Sequence, residues 1–297
     1  MDVRAKQRLC YQRLLVTLGG LGGGFAPRHL NRSAASLEKS KFRVQMATMN
    51  VTLPSPSISL VIPAYNEAAL LPRLLDSIEI ARQVFAESGG SIEVIVADNC
   101  STDDTPTLAT ERGCQIVSVE QRCIAAVRNA GARIAAGQLL AFVDADATIH
   151  PQTFKKLSQI LADDSIVGGA TGVNLERWSL GLALTYAIHY PFLVLTKMDT
   201  GVVFCRRADF ELIGGYDERL KFAEDVAFLL SLRRLGKGRR QTLIRATSIR
   251  GMASTRKFDE HGDWHYFRHL WRLGSSMLFK RYDAKEIIDR YWYKPNR

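Results

Sequence analysis

An apolar run at Ala141, Phe142 and Val143 leads directly into two carboxylates one residue apart, Asp144 and Asp146. Residues two apart at a strand end can project from a turn toward one ligand. Two carboxylates converging without a cation would repel, and one would have its pKa raised. A divalent ion removes that difficulty. Mg2+ or Mn2+ held by one or two carboxylates completes its shell with water and substrate phosphates. A solvated turn that carries two acids is the alternative, because D-x-D is a short and common pattern.

Two further clusters could do chemistry. In "VIVADNCSTDDT", Asp98 and Asn99 follow a second apolar run. A carboxylate there can accept a hydrogen bond from a base N–H such as the imide of uracil, while an Asx-turn accounts for the same residues. In "GGYDERLKFAEDVAF", Gly214 and Gly215 mark a tight turn, and Glu224 and Asp225 open a helix that closes at Gly236. Acids in a first helical turn also serve as partners of the helix dipole. No G-x-G-x-x-G follows the first strand and no Walker A loop is present, so dinucleotide and P-loop readings lose their main signal.

The elements that must position these residues alternate strand and helix. "SISLVIP", "SIEVIVA", "QIVSV" and "QLLAFVD" read as strands. Between them lie "EAALLPRLLDSIEIARQVF", with Leu71, Leu74, Leu75, Ile78 and Phe85 on one stripe, then "STDDTPTLATERG" with Ser101 or Thr102 as cap, then the Ala-rich "IAAVRNAGARIAAG". Pro151 suits the first position of a further helix. Short apolar strands between helices predict a parallel sheet covered on both faces, with ligands bound beyond the carboxyl ends of the strands. Asn66, Glu67, Asp98, Asn99, Asp144 and Asp146 all fall there.

Charge is unevenly spread along the 297 residues. Residues 1–50 carry nine lysines and arginines against two acids, residues 51–232 fourteen against twenty-two, and residues 233–297 seventeen against six. Basic ends suit nucleic acid or anionic lipid. The acidic middle suits a metal, with phosphate arriving through it. The five cysteines form no C-x-x-C pair, which points to a reducing compartment without a disulfide framework. The stretch "SLGLALTYAIHYPFLVLTK" is interrupted by His189 and Pro191, and predicts a buried or partly amphipathic helix rather than a membrane span.

In this order, "SLVIPAYNEAALLPRLLDSI", "ADNCSTDDT", "VRNAGARIAAGQLLAFVDADA" and "GVVFCRRADFELIGGYDERLKFAEDVAFLLSLRRLG" resemble the family 2 glycosyltransferases, over residues 58–250. The resemblance implies an α/β GT-A fold, Rossmann-like, with a mostly parallel sheet and helices on both faces in a single domain. It implies a nucleotide-diphosphate-sugar donor, a divalent Mn2+ or Mg2+, inversion at the anomeric carbon, and a glycan or lipid-linked acceptor. Carried onto this chain, Pro63, Ala64, Tyr65, Glu67 and Asp98 would hold the nucleoside. Asp144 would contact ribose or metal and Asp146 the metal. Glu224 and Asp225 would face the acceptor, with Asp225 as general base. The chain departs from the family where the common "DDGS" reads "DNCS", with Asn99 and Cys100. It also lacks the Q-x-x-R-W run of the processive synthases, which favours single transfers.

Arg128, on the Ala-rich helix, could neutralise the donor diphosphate, and a surface arginine is the plainer alternative. Arg256, His261 or His265 could reach over the donor as a lid. The expected layout is a basic, disordered arm over 1–55, a catalytic domain over 56–250 and a basic, aromatic helical tail over 251–297. In the tail Trp264, Phe267, Leu270, Trp271 and Leu278 approximate one helical face suited to peripheral contact with the cytoplasmic membrane face. A cytoplasmic enzyme without a nucleic-acid partner is the resulting expectation. A sugar-nucleotidyltransferase is the rival enzyme, but it usually carries a Gly-rich, basic loop where this chain reads "PAYNEAA". A non-enzymatic membrane or nucleic-acid module is the other rival, and it leaves the acidic middle unexplained.

Overall fold

A computed structural model describes residues 56–264, apart from Lys197, Met198, Thr200, Lys221 and Phe222. The expected N-terminal arm, His265 and the tail face from Phe267 onward lie outside the described residues, as does the side chain of His261. All described residues belong to one compact unit.

The strands are β1 (Ile58–Ala64), β2 (Ile92–Asp98), β3 (Gln115–Ser118), β4 (Leu139–Phe142), β5 (Ile166–Leu175), β6 (Val203–Arg206) and β7 (Thr242–Ala253). They form one sheet in the order β3-β2-β1-β4-β6-β5-β7. β1 runs parallel to β2 and β4, β2 to β3, and β5 to β7, while β6 is antiparallel to both neighbours. β1 and β4 are neighbours here although two strands separate them in sequence, so the winding of the sheet reverses beside β1. A crevice opens at such a point, beyond the strand ends.

Alternation along β1 feeds two cores. Ile58, Leu60 and Ile62 point to one face and Val61 to the other. On the first face lie α1 (Leu71–Ala86), α2 (Thr105–Glu111) and α4 (Thr153–Leu161), and on the second α3 (Ile124–Ile134), α6 (Arg207–Ile213) and α7 (Glu224–Gly238). The predicted α1 stripe is buried in full, from Leu71 through Phe85. Each such side chain adds about 1.5–3 kcal/mol of gross burial.

Some boundaries differ from the sequence expectation. α1 begins at Leu71 rather than Glu67, with Pro72 in its first turn. The preceding backbone is engaged elsewhere, since Glu67 N–H donates to Thr105 Oγ1 at 2.8 Å and Ala68 N–H to Asp103 Oδ2 at 3.0 Å. Ser101 and Thr102 do not cap α2, which starts at Thr105. The Ser101 hydroxyl accepts from Asn66 N–H, and Thr102 N–H donates to Asn66 Oδ1. Pro151 stands in a turn ahead of α4 rather than inside it. The apolar stretch forms α5 (Leu180–Thr196), but it is neither buried nor amphipathic. Leu182 is buried, whereas Leu180, Leu184, Ile188 and Val194 are exposed. Among the described residues no helix is long and apolar enough to cross a membrane.

The expected turn at Gly214 and Gly215 is present, with φ of 80° and 72°. Behind it, Asn129 accepts from Tyr216 N–H and donates to Tyr216 C=O, both at 2.9 Å. This ties α3 to the segment leading into α7. A Cβ on Gly215 would lie 2.6 Å from Asn129 Oδ1. Left-handed backbone costs a non-glycine residue about 1–2 kcal/mol. Gly215→Ala is therefore expected to lower unfolding free energy by at least about that amount in denaturant melts, and an unchanged midpoint would show that this tie carries no stability.

Candidate active site

The parallel strands β2, β1 and β4 end side by side, and each delivers part of the site. Ala64 is in register with Asp98, and Val61 with Phe142 just before the D-x-D segment. Pro63, Ala64 and Asp98 are buried at this edge, while Tyr65 and Glu67 are half-buried on the loop beyond β1. Asp98 accepts from Ser101 N–H at 3.2 Å. Asn66 makes the loop possible, since its φ of 53° turns the chain back onto the 101–105 segment.

Arg128 lies at the centre. It is only 3% exposed. Its Nη1 donates to Glu224 Oε1 and Asp225 Oδ1, and its Nη2 to Asp144 Oδ1, all at 2.8 Å. The guanidinium also faces the buried Tyr216 ring at 5.2 Å. That ring stacks on Phe228 and meets Phe142 edge-on, so aromatic packing fixes the floor under the charges. The plainer expectation of a surface arginine is overturned by this burial, and both terminal nitrogens engage carboxylates. They join residues sixteen and about a hundred positions away.

One cation facing three acids leaves the group short of positive charge. Burial, followed by the charges of Asp144 and Glu224, pushes the Asp225 carboxyl up to about 6, against the downward pull of Arg128. The same carboxylates hold Arg128 well above its ordinary value, outweighing the cost of burial. Glu224 is buried at the start of α7, while Asp225 keeps 28% of its side chain accessible.

Asp144 is half exposed, and Asp146 is about a quarter exposed beside it. Among the described residues no third His, Cys, Asp or Glu joins them in a metal-ligating group. Two hard carboxylates at an open edge suit Mg2+ or Mn2+, which keep waters and take substrate phosphates. Next to them is a cavity of about 50 Å3, lined in part by Thr148, Thr171, Gly201 and Gly251. Thr148 bridges to Met252, which holds the D-x-D segment against the end of β7.

The pattern of the Glycosyl transferase family 2 matches residues 59–213, which includes β1, β2, the D-x-D segment and α3. The chain belongs to that family. The succinoglycan biosynthesis protein ExoO of Rhizobium meliloti (strain 1021) is 27% identical over 198 residues, which are 59% of this chain and 55% of ExoO. The validoxylamine A glucosyltransferase of Streptomyces hygroscopicus subsp. jinggangensis (strain 5008) is 42% identical over 103 residues, 33% of this chain and 24% of that protein. The chain thus spans only part of these relatives. In fold, the structure is similar to S. aureus TarS 1-349 in complex with UDP-GlcNAc (TM-score 0.53, 20% identity, 67% of this chain and 58% of that one). It is also similar to the mannosyltransferase PcManGT from Pyrobaculum calidifontis in complex with GDP-Man and Mn2+ (TM-score 0.52, 22% identity, 74% and 66%). GT-A is the shared fold, and membership of family 2 favours the glycosyltransferase reading over the nucleotidyltransferase and the non-enzymatic module.

Within this family 2 chain several contacts went unread in the sequence. Arg122 lies over the Tyr65 ring at 4.7 Å and donates to its hydroxyl. Arg256, at the start of α8 (Arg256–His261), grips Glu67 with both terminal nitrogens at 2.9 and 3.0 Å, and comes within 4.0 Å of Asp146. The sequence offers it only as one of three lid candidates. Arg73 pairs with Glu176 and donates to the Asp146 carbonyl, bracing the D-x-D turn from α1. Spacing in sequence carries no signal for these pairs, whose members are 57 to 189 residues apart.

The departure at Asn99 also has a physical reason. Its side-chain amide donates to the carbonyls of Val119 and Gln121, at 2.6 and 3.0 Å. A carboxylate cannot donate and would face two carbonyl oxygens. Asn99→Asp is expected to cost about 1–3 kcal/mol of unfolding free energy at neutral pH, read from denaturant melts, and stability equal to the parent would remove this role for the amide.

Proposed function

We propose that this glycosyltransferase moves one sugar per encounter from a nucleoside-diphosphate-sugar to a hydroxyl of a glycan or lipid-linked acceptor, inverting the anomeric centre. The observation that carries the reading is the convergence of Asp144, Glu224 and Asp225 on the Arg128 guanidinium. It brings a strand-end acid of the donor side and helix-start acids of the acceptor side within reach of one side chain. The crevice beside β1 supports a nucleotide at that edge. The UDP-GlcNAc and GDP-Man complexes of the similar structures support the donor class, and the Mn2+ of the latter supports a metal.

In this reading Pro63, Ala64 and Tyr65 wall the nucleoside and Asp98 accepts a base N–H. Glu67, gripped by Arg256, closes that side. Asp144 and Asp146 would hold Mn2+ or Mg2+, which supplies positive charge opposite the departing diphosphate. Asp225 accepts the acceptor hydroxyl's proton as its oxygen bonds the anomeric carbon. The bond from that carbon to the diphosphate oxygen breaks, and the nucleoside diphosphate leaves with the electron pair. A carboxyl pushed up to about 6 is mostly ionised near neutral pH, yet is a stronger base than an ordinary aspartate. Arg128 keeps the three acids converged without itself giving up a proton.

Asp225→Asn retains size and hydrogen bonding but removes the base. It should bind nucleotide-sugar with Mn2+ nearly as the parent does and transfer sugar about a hundredfold or more slowly. For the parent, kcat/KM should fall as pH drops below about 6, because the proton then occupies Asp225. That limb belongs to the coupled carboxylates together. Transfer within a few-fold of the parent, or a limb near the ordinary aspartate value, would place the base elsewhere.

A further inference from the structure

α5 presents an exposed face that is wholly apolar. Leu180, Ala183, Leu184, Ala187, Ile188, Pro191 and Val194 are exposed and recur at helical spacing, so they lie along one side. Leu180 is 71% and Ile188 55% exposed. From Trp178 through Thr196 there is no Asp, Glu, Lys or Arg. Water-facing helix surfaces are normally polar, and a contiguous apolar patch marks a surface that meets something else.

We infer that this face of α5 seats the enzyme on an anionic lipid bilayer, lying in the interface rather than crossing it. Three observations favour a bilayer over another occupant. The helix carries an aromatic cluster, with Trp178 just ahead of it edge-on to Tyr186 and Tyr186 beside Tyr190, ring centres 5.6 Å apart in each pair. Trp and Tyr are the side chains that settle at the boundary between hydrocarbon and water. The chain then returns to the start of α5, where a Cβ on Gly181 would lie 2.9 Å from the Asp263 carbonyl oxygen. From that point residues 265–297 carry eight lysines and arginines against three acids. This charge complements anionic headgroups.

The placement also bears on the site. α5 connects β5 to β6, and Thr171 and Val173 before it and Gly201 and Val202 after it line the cavity beside Asp144 and Asp146. The segments that carry α5 are thus the ones that line the cavity beside the carboxylates. The inference needs no assumption about donor or acceptor, and it is tested without either.

The full chain is sedimented with vesicles of phosphatidylglycerol and phosphatidylcholine, and with vesicles of phosphatidylcholine alone. The parent should sediment with the anionic vesicles and about tenfold less with the neutral ones. The double substitution Leu184→Glu with Ile188→Glu should reduce anionic-vesicle binding by about tenfold or more, with an unchanged unfolding midpoint. Leu180→Glu, at the first residue of α5, gives the same readout if the double variant loses stability. Equal vesicle binding by parent and variants would assign any attachment to the basic segment alone and overturn the role of α5. A parent that binds no vesicles overturns the inference as well. If that parent is a dimer which the substitutions dissociate, the occupant is a second copy; if it is a monomer whose α5 becomes protease-sensitive on removal of residues 265–297, the occupant is that segment.

Discussion

Everything at the carboxylate edge depends on one buried cation. Three acids from two distant parts of the chain repel one another when they converge at a partly buried edge, unless a positive charge stands among them. Arg128 supplies it with fixed geometry, because a planar guanidinium can present two nitrogens to separate carboxylates at once. Lysine, a point charge on a flexible stem, could not reach Asp144 and the Glu224–Asp225 pair in the same way. The aromatic floor of Tyr216, Phe228 and Phe142 holds the guanidinium in place.

Around that centre the fold works as a set of braces. The reversal of winding beside β1 opens the edge, and short polar contacts then fasten each loop to a neighbour rather than to itself. Asn66 and Ser101 join the loops after β1 and β2, Asn99 clamps the chain after β3, and Asn129 ties α3 to the approach of α7. Arg73 and Arg256 brace the D-x-D segment from α1 and α8. Catalytic geometry on loops needs such support, because a displacement of about 1 Å can cost orders of magnitude in rate.

Much of this was legible in the sequence. Apolar runs located β1 to β4, the 3.6-residue stripe located α1, and paired glycines located the turn before α7. The acids at strand ends could be picked out because acids there are unusual without a cation. Tertiary pairings were not legible. Arg128 has no local signature that separates a surface arginine from a buried one, since its partners lie just beyond β4 and at the start of α7. Helix starts were misplaced where Thr102, Ser101 and Glu67 serve long-range hydrogen bonds in preference to capping. The exposure of α5 was missed because hydrophobicity predicts burial, and an apolar helix with one face outward breaks that rule.

The central claim is that Arg128 acts by its charge toward Asp144, Glu224 and Asp225. The direct measurement is the unfolding free energy of parent and Arg128→Met, compared across pH. In the parent, Arg128 favours the ionised acids, so its contribution is present near neutral pH and fades as pH falls and the acids take up protons. The substitution should cost about 3–5 kcal/mol near neutral pH, and clearly less near pH 5, where protonation relieves the repulsion left behind. A loss that stays the same across that range, or no loss at all, would show that Arg128 only fills space and would contradict the account.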